Sequence, residues 1–366
     1  MVSRRPSQSP VIVQAAIPGY RALFFAELKA AVPELTIAAG ESHFEPSVTT
    51  DSRAKVDIDH ALRNRYLLGR RILFQHGHHK AVRGAGVVVL ELNPRVLNTW
   101  LTLIEARLRN RRALLWGHHL GRSLGEVRPG FARRIQARLA KGLIAYTYED
   151  AAAMAREYPR QQIFIAPNST ERRTDVELID GGPRTDFLYV GRLTEPKRPR
   201  LLLDGFTKAC RAGLLPDSTR LVLIGDGPLR SGLLDTVAEA GLEHRIVVAP
   251  ATFGSDELNR HYSTAVAGVC GGYVGLNITQ SLSRGVPFVF ALNANHSPEV
   301  VLANAGLNAF TFDPATADQV AQAYANAWEA DQSGKVDRYE IQRSLMSAYC
   351  VELMVDGFVA ALRGRQ

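Results

Sequence analysis

Apolar residues along the chain form short continuous runs, and these alternate with stretches in which apolar positions recur every three or four residues. Short runs predict buried strands, and the wider spacing predicts helices. VIVQAAI (11–17) ends at Pro18-Gly19 and precedes the helical pattern YRALFFAELKAAV. Further predicted strands are LTIAAG, RILFQ, GVVVLEL, RALLWG and GLIAYTY. Because strands and helices alternate, we expect a parallel sheet with helices on both faces.

The same alternation restarts after a polar stretch, 168–184, which contains Gly-Gly-Pro and is typical of a linker. The predicted strands of this second half are DFLYVGRL, RLVLIGDG, RIVVAPA, AVAGVC and VPFVFAL. A chain of 366 residues is long enough for two such domains. We therefore predict an N-terminal domain over 1–175, a C-terminal domain over 176–345 and a last helix in 346–366 that packs back towards the N-terminal domain.

Composition indicates a packed globular protein, with 46% hydrophobic and 22% charged residues. The three cysteines (Cys210, Cys270 and Cys350) have no metal or redox spacing, and we interpret them as buried core residues. The chain has no run of eighteen apolar residues, and no apolar core follows the arginines of MVSRRPSQSP. We expect a soluble, cytoplasmic protein.

Charge is concentrated in one segment. Residues 103–144 contain ten Arg or Lys and two Glu, a net +8 that equals the charge of the whole chain. Within it, Phe131, Ile135 and Leu139 recur at four-residue spacing, as on one face of an amphipathic helix. The segment lacks the interleaved aromatics of a nucleic-acid surface, so we expect no nucleic-acid partner. Contact with an anionic membrane and a plain solvated face remain as alternatives.

The residues that follow the predicted strands are the candidates for ligand binding, since ligands of such sheets bind outside the carboxyl ends of the strands. In VGRLTEPKRP an arginine and a lysine follow one strand, a combination that suits a diphosphate. LIGDGPLR and GGYVGLNITQ place glycines before helices, where backbone N–H groups can bind an anion, although plain structural turns explain them as well. The residues concerned are Gly191, Arg192 and Lys197, then Gly225, Asp226 and Gly227, and finally Gly275, Leu276 and Asn277.

The order of these segments, from YVGRLTEPKRPRLLLDGF through RLVLIGDGPLR and GLEHRIVVAPATFGSDELNRHYSTA to GVPFVFALNANHSPEV, resembles the donor-binding half of glycosyltransferase family 4. The resemblance covers about residues 185–300. It implies an α/β protein of the GT-B architecture, with two facing Rossmann-like, doubly wound domains and a cleft between them. It also implies that Arg192 and Lys197 bind the diphosphate of a nucleotide-sugar donor, and that the transfer needs no metal or other cofactor.

The sequence departs from that family at one motif. Family members usually have two glutamates eight positions apart, the first near the donor sugar and the second near the ribose, whereas this chain has Gly272 and Gln280. Glutamine can still exchange hydrogen bonds with hydroxyls. At the first position only backbone remains, so the N–H groups of 275–277 would face the sugar or diphosphate. The Gly-Leu segment is similar to that of a subset of the family.

The resemblance implies that the N-terminal half binds the acceptor. A histidine on an N-domain loop often points towards the donor sugar in the family, and His118 of LLWGHHLG is the better match, with an orienting role. ELNPR also resembles the same subset, and HSPEV lies where members have a Gly-Gly-x-Pro-Glu turn, which makes Glu299 a structural or donor-side residue. The acceptor-binding candidates are Gly19, Tyr20, Arg21, Asn93, Arg95 and His119. HGHHK has no carboxylate or cysteine at ligand spacing, so we expect no metal site there.

The function that the resemblance implies is retaining transfer of a sugar from a nucleotide-diphosphate donor to a glycan or lipid-linked acceptor, in the synthesis of a surface polysaccharide or glycoconjugate at the inner face of the membrane. Two alternatives stay open. One is an epimerase or inverting transferase on the same architecture. The other is a non-catalytic binder of sugar nucleotides, which the missing glutamates suggest. A dehydrogenase is disfavoured, since no G-x-G-x-x-G follows the first strand.

Overall fold

The computed structural model describes residues 9–46, 48–119, 130–176, 178, 182–252 and 254–364. They form two compact units. The first comprises 9–119, 130–170 and 351–364, and the second comprises the described part of 171–350. The first boundary therefore falls at 170/171, a few residues before the predicted 175/176. The second falls at 350/351, a few residues after the predicted 345/346. The basic segment 103–144 includes 120–129, which lie outside the described residues.

The first unit contains a seven-stranded parallel sheet of order β3-β2-β1-β6-β7-β8-β9, built from strands that we number along the chain. The strands of this unit are β1 (Val11–Gln14), β2 (Thr36–Ala39), β3 (His60–Ala61), β4 (Arg63–Leu67), β5 (Ile72–His76), β6 (Val87–Glu91), β7 (Arg112–Trp116), β8 (Gly142–Ala145) and β9 (Gln162–Ile165). The central residue Ile12 pairs with Ile37 on one side and Val89 on the other. Each is fully buried, which explains why these strands appear as continuous apolar runs.

Helices cover both faces of this sheet. They are α1 (Ala22–Ala31), α2 (His78–Val82), α3 (Leu97–Leu108), α4 (Phe131–Leu139) and α5 (Tyr148–Glu157). Successive strand residues point to opposite faces, so Ile12 lies in one hydrophobic cluster and Val11 and Val13 lie in another. The first cluster contains Phe24 of α1, and the second contains Leu103 of α3.

The predicted strand RILFQ forms, but its expected place in the parallel sheet was wrong. It pairs antiparallel with β4, in the register Asn64↔Gln75 and Tyr66↔Leu73. Only 68–71 separate the two strands, which is too short for the crossover that parallel strands need. Leu68 and Arg70 have φ angles of 51° and 63° around this tight turn. The result is a two-stranded hairpin outside the main sheet.

The predicted helix α4 forms, but its expected apolar face is only partly buried. Phe131 is 77% exposed, and Ile135 and Leu139 are only half-buried. The buried residues of this helix are Gln136 and Ala137. Ala137 belongs to the same cluster as residues of α3, because a small side chain lets the two helices approach closely. Of the three residues of the predicted apolar face, Leu139 packs against this cluster, whereas Phe131 lies in solvent.

The second unit contains a six-stranded parallel sheet of order β12-β11-β10-β13-β14-β15. Its strands are β10 (Asp186–Val190), β11 (Arg220–Ile224), β12 (Ile246–Ala249), β13 (Ala265–Cys270), β14 (Phe288–Ala291) and β15 (Ala309–Phe312). Its helices are α6 (Pro199–Arg211), α7 (Arg230–Ala240), α8 (Ser255–Ser263), α9 (Asn277–Leu282), α10 (Ala317–Gln332) and α11 (Arg338–Ala348). The chain builds outward from β10 in one direction and then in the other, so the order of strands reverses between β10 and β13. In doubly wound sheets this switch point is where ligands bind.

The last helix, α12 (Val351–Arg363), belongs to the first unit. Its Phe358 ring lies 4.9 Å from Phe24 and 4.8 Å from Trp116, and Gly357 is where the Ile165 carbonyl approaches the helix. The stretch Arg338–Arg363 is long and apolar enough to cross a membrane, with a mean hydropathy of 1.6, but 56% of that apolar window is buried in the protein. These contacts identify α12 as a core helix of the first unit.

Candidate functional site

Three loops meet at the carboxyl edge of the second unit's sheet. The Gly191 N–H donates to the Ile224 carbonyl at 3.0 Å, and the Leu193 N–H donates to the Asp226 carbonyl at 2.9 Å. The Tyr273 N–H donates to the Pro196 carbonyl at 2.7 Å. The loops after β10, β11 and β13 are thereby joined backbone to backbone. The predicted segments 191–197, 225–227 and 275–277 thus come together at the switch point.

The turn after β11 is a close packing of two backbones. A Cβ atom on Gly225 would lie 1.8 Å from the Gly191 carbonyl oxygen, and one on Gly227 would lie 2.4 Å from the Leu193 carbonyl oxygen. Both glycines are therefore needed for the loops to touch. The Asp226 carboxylate accepts from the Ala251 N–H at 3.2 Å and lies 3.7 Å from the Arg230 guanidinium. These contacts give the 225–227 turn a structural role.

The turn after β13 packs so closely on a facing loop that it requires glycine at two positions. A Cβ atom on Gly272 would lie 2.3 Å from the Pro196 carbonyl oxygen, and one on Gly271 would lie 2.4 Å from the Arg198 carbonyl oxygen. No side chain fits at either position without displacing the backbone of the facing loop. In this protein the loop at 194–198 fills the space in front of Gly272.

Lys197 is brought to this turn by an unusual local backbone. Residues Glu195–Lys197 form a short 3-10 helix, and Arg198 then adopts a left-handed conformation with φ of 49° before Pro199 opens α6. A proline disfavours the α conformation in the residue before it, so the chain turns sharply here. The Lys197 ammonium lies 5.1 Å from the centre of the Tyr273 ring, and a Cβ atom built on Gly275 would lie 3.4 Å from it. A positive charge is therefore held beside the 273–277 backbone.

The start of α9 carries an unsatisfied polar group. The Asn277 Oδ1 atom accepts a hydrogen bond from the Gly275 N–H at 2.9 Å. The Gly275 N–H is therefore not the open donor to a ligand that the sequence predicted. Its Nδ2 is buried and has no hydrogen-bond partner within the part of the chain that the structure describes. The same holds for the hydroxyl of Ser297, whose N–H donates to the Val274 carbonyl at 2.9 Å. Buried donors of this kind usually have a partner, so a bound ligand is one way to satisfy them.

His296 holds the 273–277 loop against the end of β14. Its Nδ1 accepts from the Val274 N–H at 3.2 Å, and its Nε2 donates to the Ala291 carbonyl at 2.9 Å. Burial lowers the pKa of this histidine, which agrees with the neutral form that these two bonds require. Glu299 is buried in the short 3-10 helix Pro298–Leu302, and Gln280 is half-buried one turn after Asn277. His296 and Ser297 are structural parts of the site, and the sequence did not identify Ser297.

In the first unit, residues after three strands gather around Tyr146. Gly19–Arg21 form a 3-10 helix between β1 and α1, in which Tyr20 is exposed and Arg21 is buried. The Arg21 guanidinium lies 5.3 Å from the Tyr146 ring and 4.8 Å from the Trp116 ring. The centre of the His118 ring lies 4.4 Å from the centre of the Tyr146 ring. The predicted residues Arg21 and His118 are therefore brought together through one aromatic ring.

Three of the predicted acceptor-binding residues have structural contacts within the first unit. His119 is 1% exposed, its Nε2 lies 2.9 Å from the Glu157 carboxylate, and burial lowers its pKa. Arg95 donates to the carbonyls of Arg70 and Arg71 at 2.6 and 2.9 Å and lies 3.9 Å from the Phe44 ring. Asn93 accepts from the Arg95 N–H at 3.1 Å. His119 is thus a core residue, and Arg95 and Asn93 hold the hairpin in place.

Glu91 is a candidate that the sequence did not reveal. It ends β6, at the point where the strand order of the first sheet reverses, and its Oε1 accepts from the Ala15 N–H at 2.6 Å. Burial raises the pKa of this carboxyl to about 7, the opposite of what the hydrogen bond alone would do. A carboxyl that titrates near neutral pH at such an edge can exchange protons with a bound hydroxyl.

The histidine-rich stretch HGHHK does not form a metal site in the described residues. His78 is buried, and its Nε2 lies 2.8 Å from the Thr102 hydroxyl. Burial lowers its pKa to about 4, so it is neutral at physiological pH. Among the described residues, no group of three or more His, Cys, Asp or Glu side chains has the arrangement of a metal centre.

Comparisons with known proteins agree with this architecture. The family model described as "Glycosyl transferases group 1" matches residues 184–330, which is less than half of the chain. The HepE protein of Anabaena, crystallised with UDP, has a TM-score of 0.70 at 13% identity, over 97% of this chain and 100% of that chain. A glycosyltransferase of Rickettsia africae has a TM-score of 0.70 at 10% identity, over 98% of this chain and 99% of that chain.

A third structure, the lipopolysaccharide outer core galactosyltransferase WaaB, has a TM-score of 0.65 at 15% identity, over 97% of this chain and 99% of that chain. No curated protein sequence matches the chain. At these identities the structural likeness shows the fold alone. The predicted fold class is confirmed: residues 184–330 match the group 1 glycosyltransferase model, and the chain has the α/β fold of the GT-B glycosyltransferases.

Proposed function

We propose that the protein is a retaining glycosyltransferase of family 4 that moves a sugar from a nucleoside diphosphate to a glycan or lipid-linked acceptor. The observation that carries the proposal is the junction of the loops after β10 and β13, where the Lys197 ammonium lies beside Gly275 and the buried Asn277 Nδ2 has no hydrogen-bond partner among the described residues. A diphosphate would bring negative charge next to the Lys197 ammonium and acceptor oxygens within reach of Asn277 Nδ2. The HepE crystal structures with UDP and with UDP-glucose support a uridine nucleotide as the first donor to test.

The chemistry follows from where charge develops. When the bond between the anomeric carbon and the diphosphate oxygen breaks, negative charge grows on the leaving group. Lys197 and Arg192 are the two cations of this loop that would bind the leaving group, and the Arg192 backbone is fixed because its carbonyl accepts from the buried Tyr189 hydroxyl at 2.6 Å. The acceptor oxygen bonds to the anomeric carbon on the same face, and its proton passes to the departing phosphate. His118 would orient the sugar or acceptor, without serving as a nucleophile.

The first experiment is a thermal-shift screen against UDP, GDP, dTDP and ADP. One nucleotide should raise the Tm of the wild type, and Arg192→Ala and Lys197→Ala should each lose that shift. The exposed Lys335 provides a matched control, since Lys335→Ala removes a lysine of the same unit outside these loops. Absence of a shift with every nucleotide in the wild type would refute donor binding at this site.

A second candidate function is non-catalytic binding of sugar nucleotides, which is favoured by the absence of a carboxylate at Gly272. The two functions separate in one assay. Incubation of protein, UDP-sugar and an acceptor panel should release UDP and give a product whose anomeric configuration, read by NMR, matches that of the donor. Binding without turnover would support the second function, and an inverted product or an epimerised donor would support the other enzymes of this architecture.

We further propose a cytoplasmic location at the inner face of the cell membrane, a role in surface polysaccharide assembly, and transfer without a metal ion. WaaB, a lipopolysaccharide galactosyltransferase of the same fold, is consistent with such a role. The basic segment 103–144 supplies charge for a membrane contact. Turnover that survives EDTA would support the metal-free mechanism, and turnover restored only by added Mg²⁺ or Mn²⁺ would contradict it.

A further inference from the structure

Helix α3 is apolar on two opposite sides. Its inner side, with Leu103 and Ala106, packs in the core of the first unit. Its outer side carries four large apolar residues at successive spacings of four, three and four, so they lie in one line along the helix. These residues are Leu97, Leu101, Ile104 and Leu108, and Leu101 and Leu108 are 60% and 82% exposed. A line of exposed apolar side chains on an otherwise well-packed helix indicates an interaction surface.

The hairpin of β4 and β5 presents a second exposed face of unusual composition. Alternate residues point outward, and the cross-strand pairs on this face are Arg63 with His76, Arg65 with Phe74, and Leu67 with Ile72. At its tip, Leu68 is 71% exposed beside the exposed Arg71. Every residue in these three pairs is therefore either basic or apolar.

The charge of this region is entirely positive. Residues 60–83, which form the hairpin and α2, contain six Arg or Lys and four His, with no Asp or Glu. The one acidic residue of α3 is Glu105, which lies 3.1 Å from Arg109 and 3.5 Å from Arg111. Its charge is thus compensated within the surface. This basic region is separate from the basic segment 103–144 and was not predicted from the sequence.

The hairpin and α3 lie side by side in the structure. The Gln75 N–H donates to Asn98 Oδ1 at 2.6 Å, and Asn98 Nδ2 donates back to the Gln75 carbonyl at 3.2 Å. Asn98 follows Leu97 directly, so the edge of β5 runs beside the start of the apolar line. Arg95 adds two hydrogen bonds to the hairpin turn. The hairpin therefore lies directly against the helix that carries the apolar line.

We propose that this surface, formed by the outer faces of the β4–β5 hairpin and of α3, docks on an anionic lipid bilayer. Leucine and isoleucine side chains enter the boundary between headgroups and acyl chains, and the surrounding arginines contact lipid phosphates. The mixture of the two residue kinds distinguishes this occupant. An acidic protein or nucleic acid would use the cations and leave four large apolar side chains in water, whereas a second copy of the chain would place like charges against each other. The surface is independent of the donor site, and it would bring the protein to a lipid-linked acceptor if the proposed function holds.

The test is sedimentation of the full chain with vesicles. The wild type should co-sediment with phosphatidylcholine vesicles that contain phosphatidylglycerol as about one lipid in three, because this lipid is anionic. It should not co-sediment with vesicles of pure phosphatidylcholine. Leu101→Ser with Leu108→Ser should weaken the partition at least about tenfold, because two apolar side chains no longer enter the bilayer. Arg65→Gln with Arg71→Gln should weaken it to a similar extent and reduce its dependence on salt.

The matched control replaces two exposed leucines of the second unit. Leu214 and Leu234 are 41% and 42% exposed, and Leu214→Ser with Leu234→Ser should sediment like the wild type. All variants should keep the wild-type Tm and the same shift with UDP, so loss of membrane binding is separable from failure of the proposed donor site. Equal partition of wild type and Leu101/Leu108 variant would overturn the proposal. A wild-type dimer in solution that this variant converts to a monomer would overturn it too, since a second copy would then be the occupant.

Discussion

Replacing Gly272 by alanine tests the central contact of the candidate site. The new Cβ atom would lie 2.3 Å from the Pro196 carbonyl oxygen, whereas real Cβ contacts essentially never fall below 3.0 Å. The loop must therefore move by at least about 0.7 Å, and the 2.7 Å hydrogen bond between Tyr273 N–H and the same oxygen is disturbed. Overpacking of this kind costs about 1–3 kcal/mol.

That cost can be divided between folding and binding. If the second unit absorbs it, the Tm falls by about 2–4 °C for each kcal/mol. If the loop containing Lys197 moves instead, UDP binds about 5- to 150-fold more weakly. Calorimetry of unfolding and of UDP binding measures the two terms, whose sum should be about 1–3 kcal/mol.

The matched control is Gly254→Ala, at a glycine with an ordinary φ of −80° and no neighbouring atom within 4 Å of the added Cβ. It should leave UDP binding unchanged. If Gly272→Ala leaves both the Tm and UDP binding at the wild-type values, the two loops do not approach as closely as described. Gly272→Glu, which introduces the carboxylate that family 4 members usually have, should be more harmful than alanine and should not raise activity.

Three further changes have defined outcomes. Glu91→Gln should flatten the pH dependence of the Tm. In the wild type the pKa of Glu91 is raised from 4.5 to about 7, so the protein should lose stability as the pH rises across that interval. Equal slopes of Tm against pH in both proteins would contradict this. Glu171→Ala should destabilise the protein by about 3–5 kcal/mol in urea, because the buried Arg284 guanidinium, 3.2 Å away, loses its carboxylate; recovery in the double variant with Arg284→Met is the control. His296→Phe should weaken UDP binding several-fold, since the Val274 N–H loses its acceptor, and unchanged calorimetric affinity would exclude this anchoring role.

The two parallel sheets could be predicted because their strands are buried on both faces and therefore appear as continuous apolar runs. The hairpin could not, since β4 is half solvated and its sequence, RNRYL, has no apolar run. The site residues divide in the same way. Gly191, Arg192 and Lys197 could be predicted as a binding segment because a strand end and a cation pattern mark them, and their binding role stays a prediction. His118 and His119 are adjacent and identical in type, and only their different surroundings show that one contacts Tyr146 while the other pairs with Glu157.

Glu91 and Ser297 illustrate what depends on the third dimension. Nothing in ELNPR distinguishes a solvated glutamate from one whose carboxyl is held by the Ala15 amide. Likewise, Ser297 is held in place by a hydrogen bond from its N–H to the carbonyl of Val274, more than twenty residues away. Its buried hydroxyl has no hydrogen-bond partner among the described residues. Burial and long-range partners determine both, and neither leaves a local pattern in the sequence.

The place of α12 in the first unit has a consequence for biosynthesis. The ribosome completes most of that unit early, but Met354 and Phe358, which lie in its core cluster, are made only after the whole of 171–350. The described residues of the second unit all lie within 171–350, so this unit can fold as soon as it emerges from the ribosome. At that time the nascent first unit still exposes Phe24 and Trp116, which α12 later contacts. The first unit of the chain to be translated is thus the last to be finished, and a chaperone has the longest opportunity to bind it on the face that α12 later covers.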